Sequence, residues 1–310
     1  MSKILAVFGA TGQQGSSVVN YVLNDPELSK VYKIRAITRD VDSQKVQKLK
    51  GKAEIVYGDV HDRASLETAL TGVHTVFAMT VPSWGPGAVE AEYNSGKTIA
   101  DVAVEKGIKY IIFSTLPSVT EISGGKFTSM TPFDAKAKIE KYIRSLPVKS
   151  AFYAPGGFME NFQAMPFMTP QKTADGTWAI TRHISPKTKI PLVDAIGDTG
   201  KFIGAILAAP DKYAGKTFYA GIMYSQEEIA SAIAKATGKT VVYKQVSPEE
   251  LRKTLPAVMA DNFLEAFGFQ EEFGGFGPES EEKAAWSTAN ARGRLTTLEE
   301  YLEAHPPQLT

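Results

Sequence analysis

Three glycines at three-residue spacing, Gly9, Gly12 and Gly15, follow directly on the apolar run Ile4-Leu5-Ala6-Val7-Phe8 and lead into a stretch of helical character. Glycine lets the backbone turn tightly and approach a ligand closely. A helix starting near Gln13 points unpaired N–H groups and the positive end of its dipole at the same place. The segment Gly9-Ala10-Thr11-Gly12-Gln13-Gln14-Gly15 therefore reads as a cradle for phosphate, of the kind that holds a dinucleotide pyrophosphate. The spacing is Gly-x-x-Gly-x-x-Gly. Its position between a strand and a helix separates it from a glycine-rich turn that binds nothing.

The next strand ends Ala36-Ile37-Thr38-Arg39. In NAD-specific sites of this kind an acidic side chain stands there and accepts the adenosine ribose hydroxyls. Arg39 favours a 2′-phosphate instead. Its planar donor fork suits phosphate, and a charge-assisted bond of about 1.5 to 3 kcal/mol favours NADP over NAD by roughly one to two orders of magnitude. Asp40 either pairs with Arg39 or reaches a ribose itself. Gly58-Asp59, after a third strand, brings a carboxylate to the adenine edge or caps the following helix, and both can hold. NADP(H) is the expected cofactor.

These residues need a parallel sheet to bring them together. Strand-like runs over residues 4–8, 33–38, 53–57, 73–79, 110–113 and 150–153 alternate with amphipathic stretches over 16–23, 43–49, 64–70, 88–106 and 133–144. Each stretch is long enough for a right-handed crossover. The chain thus reads as an α/β fold, a Rossmann-type doubly wound parallel sheet with a smaller C-terminal α+β region. Such sheets bind ligands beyond the carboxyl ends of their strands, so Gly9, Arg39, Asp59, Thr80 and Ser114 are expected around one crevice. Past residue 153 prolines and glycines punctuate shorter elements, which divides the chain into a nucleotide-binding domain over 1–153 and a substrate or partner region over 154–310. Phe263, Phe267, Phe269, Phe273 and Phe276, with Trp84 and Trp178 elsewhere, either fill core or line a pocket or partner surface.

Composition narrows the function classes. With 310 residues, 43% of them hydrophobic, the chain can bury a large core. Positive and negative side chains number 34 each, so no global charge draws it directly to nucleic acid or to an anionic membrane. The absence of cysteine excludes disulfides, thiolate metal sites and a cysteine nucleophile. His61, His74, His183 and His305 show no metal-ligand spacing, and no metal is expected. No apolar run approaches the roughly 20 residues that span a bilayer. A soluble protein of the cytoplasm is expected, with the nucleus as a second location.

Gly9-Ala10-Thr11-Gly12-Gln13-Gln14-Gly15, Ile37-Thr38-Arg39-Asp40, Tyr57-Gly58-Asp59, Phe133-Asp134-x-Lys136 and Pro155-Gly156-Gly157-Phe158-Met159-Glu160-Asn161-Phe162 together resemble the NmrA-like family of atypical short-chain dehydrogenases. The resemblance covers nearly the whole chain. It implies NADP(H) binding, with Gly9 to Gly15 on the pyrophosphate, Arg39 on the 2′-phosphate, Asp59 and Val60 on the adenine side, and Thr80, Val81 and Pro82 by the ribose. Lys136, Gly156, Gly157, Phe158 and Asn161 would fall by the nicotinamide. The family includes nitrogen-metabolite repressors that contact GATA-type zinc-finger regulators, cofactor-ratio sensors and true reductases, so the resemblance leaves the activity open.

A short-chain dehydrogenase carries a tyrosine acid four residues before its lysine, one helical turn away, so that the ammonium lowers the phenol pKa. Four residues before Lys136 stands Pro132, which can neither give nor take a proton. Ser114 and Thr115 occupy the usual place of the catalytic serine, and Tyr153, ending the sixth strand, is the candidate replacement acid if the chain is an enzyme. The missing tyrosine tilts the reading towards a cofactor-sensing regulator with a protein partner such as a transcription regulator. The alternative is an NADPH-dependent oxidoreductase that reduces a small carbonyl or enone.

Overall fold

The computed structural model describes residues 2–82 and 85–309, so Trp84 lies outside the described residues. The six expected strands form, as β1 (Lys3–Phe8), β2 (Tyr32–Thr38), β3 (Glu54–Tyr57), β4 (Thr75–Ala78), β5 (Tyr110–Ser114) and β6 (Lys149–Pro155). A seventh strand, Thr217–Ala220, adds to the β6 edge, and the sheet runs Thr217–Ala220, β6, β5, β4, β1, β2, β3 with every neighbour parallel. The order reverses between β1 and β4, which makes the gap beyond their carboxyl ends the switch point where ligands of doubly wound sheets sit.

Side-chain alternation explains why these runs are strands. Leu5 and Val7, Phe77, Ile112 and Tyr153 point to one face and pack with Val18, Val19 and Phe202. Ala6 and Phe8, Val76 and Ala78, Ile111 and Phe113, and Phe152 point to the other and pack with Leu66, Ile99 and Ile139. Successive residues serve opposite cores, so the strands read as continuous apolar runs buried on both sides. Helices α1 (Gln13–Asn24) and Ala195–Ala208 cover the first face; Arg63–Ala69, Ala88–Glu105 and Thr131–Ser145 cover the second.

The contribution of the C-terminal half to the first face went unread in the sequence. Both the seventh strand and the helix Ala195–Ala208 come from beyond residue 153, so the sheet layer is not complete within 1–153. That helix lies close on α1: a Cβ at Gly200 would fall 2.6 Å from the Ser17 carbonyl oxygen, and one at Gly204 would run into the Tyr21 ring. The Gly200 N–H donates to Ser17 Oγ at 2.8 Å. The amphipathic stretch expected over 43–49 shrinks to one turn, Gln44–Gln47. The remaining C-terminal chain builds two small three-stranded sheets, one from Ile222–Ser225, Lys189–Val193 and Gly157–Phe158, the other from Val241–Gln245, Trp178–Arg182 and Gln171–Lys172. Among the described residues no helix is long and apolar enough to cross a membrane.

Candidate functional site

The chain leaves β1 at Phe8 and turns at Gly9, whose φ of +62° is a conformation that side chains disfavour. The three glycines are held by different causes. A Cβ on Gly15 would run into the Gly9 peptide, 2.6 Å from its carbonyl carbon, and one on Gly9 would lie 2.9 Å from Met79 Sδ. Those two positions are glycine for the sake of the turn itself. Gly12 has ordinary extended backbone (φ −83°, ψ 175°), and among the described residues a Cβ there would meet only the Gly9 carbonyl oxygen, at 3.3 Å. It is exposed and keeps open the space before α1. As the N-cap of α1 it offers no side-chain cap, and the first turn carries no acidic residue. The leading N–H groups of α1 and its positive dipole end therefore face that space, which suits an anion.

Arg39, just past β2, is exposed and makes no ion pair among the described residues. The Arg39–Asp40 pairing left open above is not formed. Asp40 Oδ1 accepts the Asp42 N–H at 3.1 Å, and the Asp40 carbonyl accepts from Thr38 Oγ1 at 3.1 Å. Beside it, the Gly58 N–H donates to the Thr38 carbonyl at 3.0 Å, which brings Asp59 alongside. Asp59 does not cap the next helix. That role belongs to Asp62, which accepts the Ser65 N–H at 3.2 Å, while Asp59 Oδ1 accepts the His61 N–H at 3.0 Å. Val60 packs against the second-face core.

Across the switch point Thr80, Lys136 and Glu92 form one buried cluster. The Lys136 ammonium donates to the Thr80 carbonyl at 3.2 Å, to Thr80 Oγ1 at 3.1 Å and to the Glu92 carboxylate. Thr80 Oγ1 in turn donates to Glu92 Oε1 at 2.6 Å. An ammonium has three donors, and all three are committed inside the protein. Glu92 is 1% exposed and its second oxygen has no partner among the described residues. Burial pushes the Lys136 pKa below its ordinary value, with Glu92 pulling the other way. Lys136 and Thr80 thus meet, and the Lys136 ammonium points into the protein. Pro132 sits in the first turn of its helix, where proline's missing N–H costs nothing.

Tyr153 is not available as an acid. It is fully buried on the α1 face of the sheet, its ring tilted against that of Phe202 with centroids 5.7 Å apart and its hydroxyl 3.0 Å from Thr199 Oγ1. Burial raises its pKa well above the usual phenol value. Its backbone lies near the carboxyl ends of the strands, opposite Ser114, but its phenol is turned into the core and reaches no open space. Ser114, 2% exposed, donates to Gln14 Oε1 at 2.8 Å and ties β5 to the glycine loop. Thr115 Oγ1 donates to the Lys136 carbonyl at 3.3 Å. Val81, 75% exposed, and Pro82 lie beyond β4.

The segment after β6 is held by the C-terminal sheet. The Gly156 N–H donates to Ala220 at 2.8 Å, Gly157–Phe158 pairs with Leu192 and Val193, and a Cβ on Gly156 would fall 2.8 Å from that of Pro191. The half-buried Asn161 opens the short helix Asn161–Ala164, and its amide makes no hydrogen bond among the described residues. Glu160 accepts the Ala195 and Ile196 N–H groups at 3.2 and 2.8 Å and so caps the helix Ala195–Ala208. Sequence reasoning missed the roles of Glu92, Glu160 and Asp134. The last accepts from Ser118 Oγ, Thr120 N–H and Thr120 Oγ1 at 3.0, 3.1 and 2.6 Å and pins the loop after β5. Glu160 stood inside a quoted motif; Glu92 carried no signal linking it to a lysine 44 positions later.

A parallel sheet with a glycine loop at its switch point defines a Rossmann-type fold. The chain belongs to the NmrA-like family, whose model matches residues 1–302. An NmrA-like family domain-containing protein of Dictyostelium discoideum is 30% identical over 98% of this chain and 98% of its own. The NmrA-like family domain-containing oxidoreductase ptmS of Penicillium ochrochloron is 32% identical over 90% of this chain and 87% of its own. In fold, the chain is similar to the negative transcriptional regulator NmrA solved in complex with NADP, with a TM-score of 0.80 at 22% identity over 99% of this chain and 96% of that one.

Proposed function

We propose that this chain binds NADP(H) at the switch point and acts by cofactor occupancy, as a regulator that works through contacts with a protein partner such as a transcription regulator. The open space at Gly12, before the uncapped N-terminus of α1, fits a pyrophosphate, and the unpaired Arg39 fits a 2′-phosphate. Asp59 and Val60 would flank the adenine, Thr80 to Pro82 the ribose side, and Gly156 to Asn161 the nicotinamide end. The bound cofactor would supply a hydride. The reading rests chiefly on the closed Lys136–Glu92–Thr80 cluster: the lysine of a proton relay is spent on a buried carboxylate, and the relay tyrosine is Pro132. With Tyr153 in the core and Ser114 held by Gln14, no side chain of the expected set holds a proton ready for a substrate. Occupancy would then act by stabilising one conformation of the glycine loop and the 155–162 segment over another. NmrA, a negative transcriptional regulator solved with NADP, supports this reading.

The naming of ptmS as an oxidoreductase favours a second reading, an NADPH-dependent reductase of a small carbonyl or enone in which water supplies the proton. A panel of such substrates separates the two. The regulator reading expects NADPH oxidation to stay at background across the panel. Steady oxidation at about 1 per second or faster, an ordinary enzymatic rate, would replace it with the reductase.

A further inference from the structure

Arg182 ends the strand Trp178–Arg182 and is 5% exposed, yet no carboxylate among the described residues faces it. Its Nη1 donates to the Thr181 carbonyl at 2.7 Å and its Nη2 approaches the Met168 thioether at 3.5 Å. The guanidinium carbon lies 4.8 Å from the centre of the Phe267 ring. A guanidinium has five N–H donors, and here they find one good acceptor and one poor one. Burying an unpaired charge is costly, and contact with one aromatic face returns only part of that cost. Burial accordingly lowers the Arg182 pKa, to about 10.

The same side chain lines a cavity whose walls include Phe167, Ala179, Thr181, Thr254, Leu255 and Pro256. Arg182 is the one charged residue among the described lining. A single cation in a hollow whose other walls are neutral, apolar at Phe167, Ala179, Leu255 and Pro256 and hydroxyl- or amide-bearing elsewhere, matches one negative charge attached to an apolar body. A phosphate dianion would want a second cation, and Arg182 is alone in charge among the described lining. Such pockets, with apolar walls and a few fixed polar groups, are where small ligands bind.

We infer that Arg182 anchors a binding site for a monocarboxylate with an apolar body, a short-chain or aromatic acid whose carboxylate completes the donor set of the guanidinium. The site stands on the C-terminal sheet, and its assignment does not rest on the NADP(H) reading.

Octanoate and benzoate, each paired with its neutral amide, are the probes, titrated calorimetrically into the full chain. The wild type is expected to bind at least one acid about tenfold or more tightly than the matching amide, since only the acid makes the charge-assisted pair. Arg182→Met, which keeps the bulk and removes the charge, is expected to erase that preference while leaving amide binding unchanged. Equal binding of acid and amide by the wild type, or no binding of either acid, overturns the site. The wild-type comparison decides the matter even if the methionine variant does not fold.

Discussion

Gly12→Val is expected to leave a folded protein that has lost NADP(H) affinity by about 100-fold or more. Two observations separate the effect on binding from the effect on folding. The backbone at Gly12 is extended, a conformation valine adopts freely, and among the described residues a Cβ there would meet the Gly9 carbonyl oxygen alone, at 3.3 Å. The branched side chain would instead occupy the space before the α1 N-terminus, and each charge-assisted bond lost from a phosphate there removes about 1.5 to 3 kcal/mol. Valine is a poor N-cap, so a stability loss of about 1 kcal/mol accompanies the change. Gly15→Ala provides the contrast, because its Cβ collides with the Gly9 peptide and the variant is expected to be destabilised whether or not cofactor is present. Calorimetry with NADPH, alongside urea unfolding, reads both quantities. Wild-type affinity in a folded Gly12→Val protein would move the pyrophosphate away from this loop.

The second large effect lies in the Lys136–Glu92 pair. Lys136→Met leaves the Glu92 carboxylate, 1% exposed, without its cation, and removing one partner of a buried pair costs about 3 to 5 kcal/mol. That is a large share of a domain's typical stability of about 5 to 15 kcal/mol. Replacing both, as Lys136→Met with Glu92→Leu, should cost less than either single change, because no buried charge is then stranded. Additive losses in that double-mutant cycle would contradict the pairing. A pH signature follows as well. Burial holds the folded-state pKa of Lys136 below the unfolded value of about 10.4, so the unfolded chain binds this proton more tightly in the alkaline interval between the two. The wild type should gain stability relative to Lys136→Met as the pH rises through that interval.

Strands β1, β4, β5 and β6 were legible because they are buried on both faces and so read as nearly unbroken apolar runs between turns, whereas β2 and the edge strand β3 were legible from short apolar stretches interrupted by Lys33, Arg35 and Glu54. Thr217-Phe-Tyr-Ala220 was not, since a four-residue strand long after its partner carries almost no periodic signal. The cradle was legible for a local reason, the placement of three glycines between a strand and a helix. Which glycine serves the turn and which leaves room was not, because the answer depends on where the Gly9 peptide and Met79 lie. Tyr153 shows the same limit. A sequence places it at a strand end, but only the register of the sheet decides that its phenol points into the α1 face and meets Thr199. Lys136 could be found from its helix; Glu92, on another helix, could not, since ion pairs between distant segments leave no pattern in the chain.

Titration of the wild type and of Arg39→Ala with NADPH and with NADH tests the proposed cofactor site most directly. The wild type should bind NADPH tighter than NADH by roughly one to two orders of magnitude, and Arg39→Ala should lose about 1.5 to 3 kcal/mol of NADPH affinity while leaving NADH almost unchanged. Failure of the wild type to bind NADPH, or equal losses for both cofactors on removal of Arg39, would contradict it.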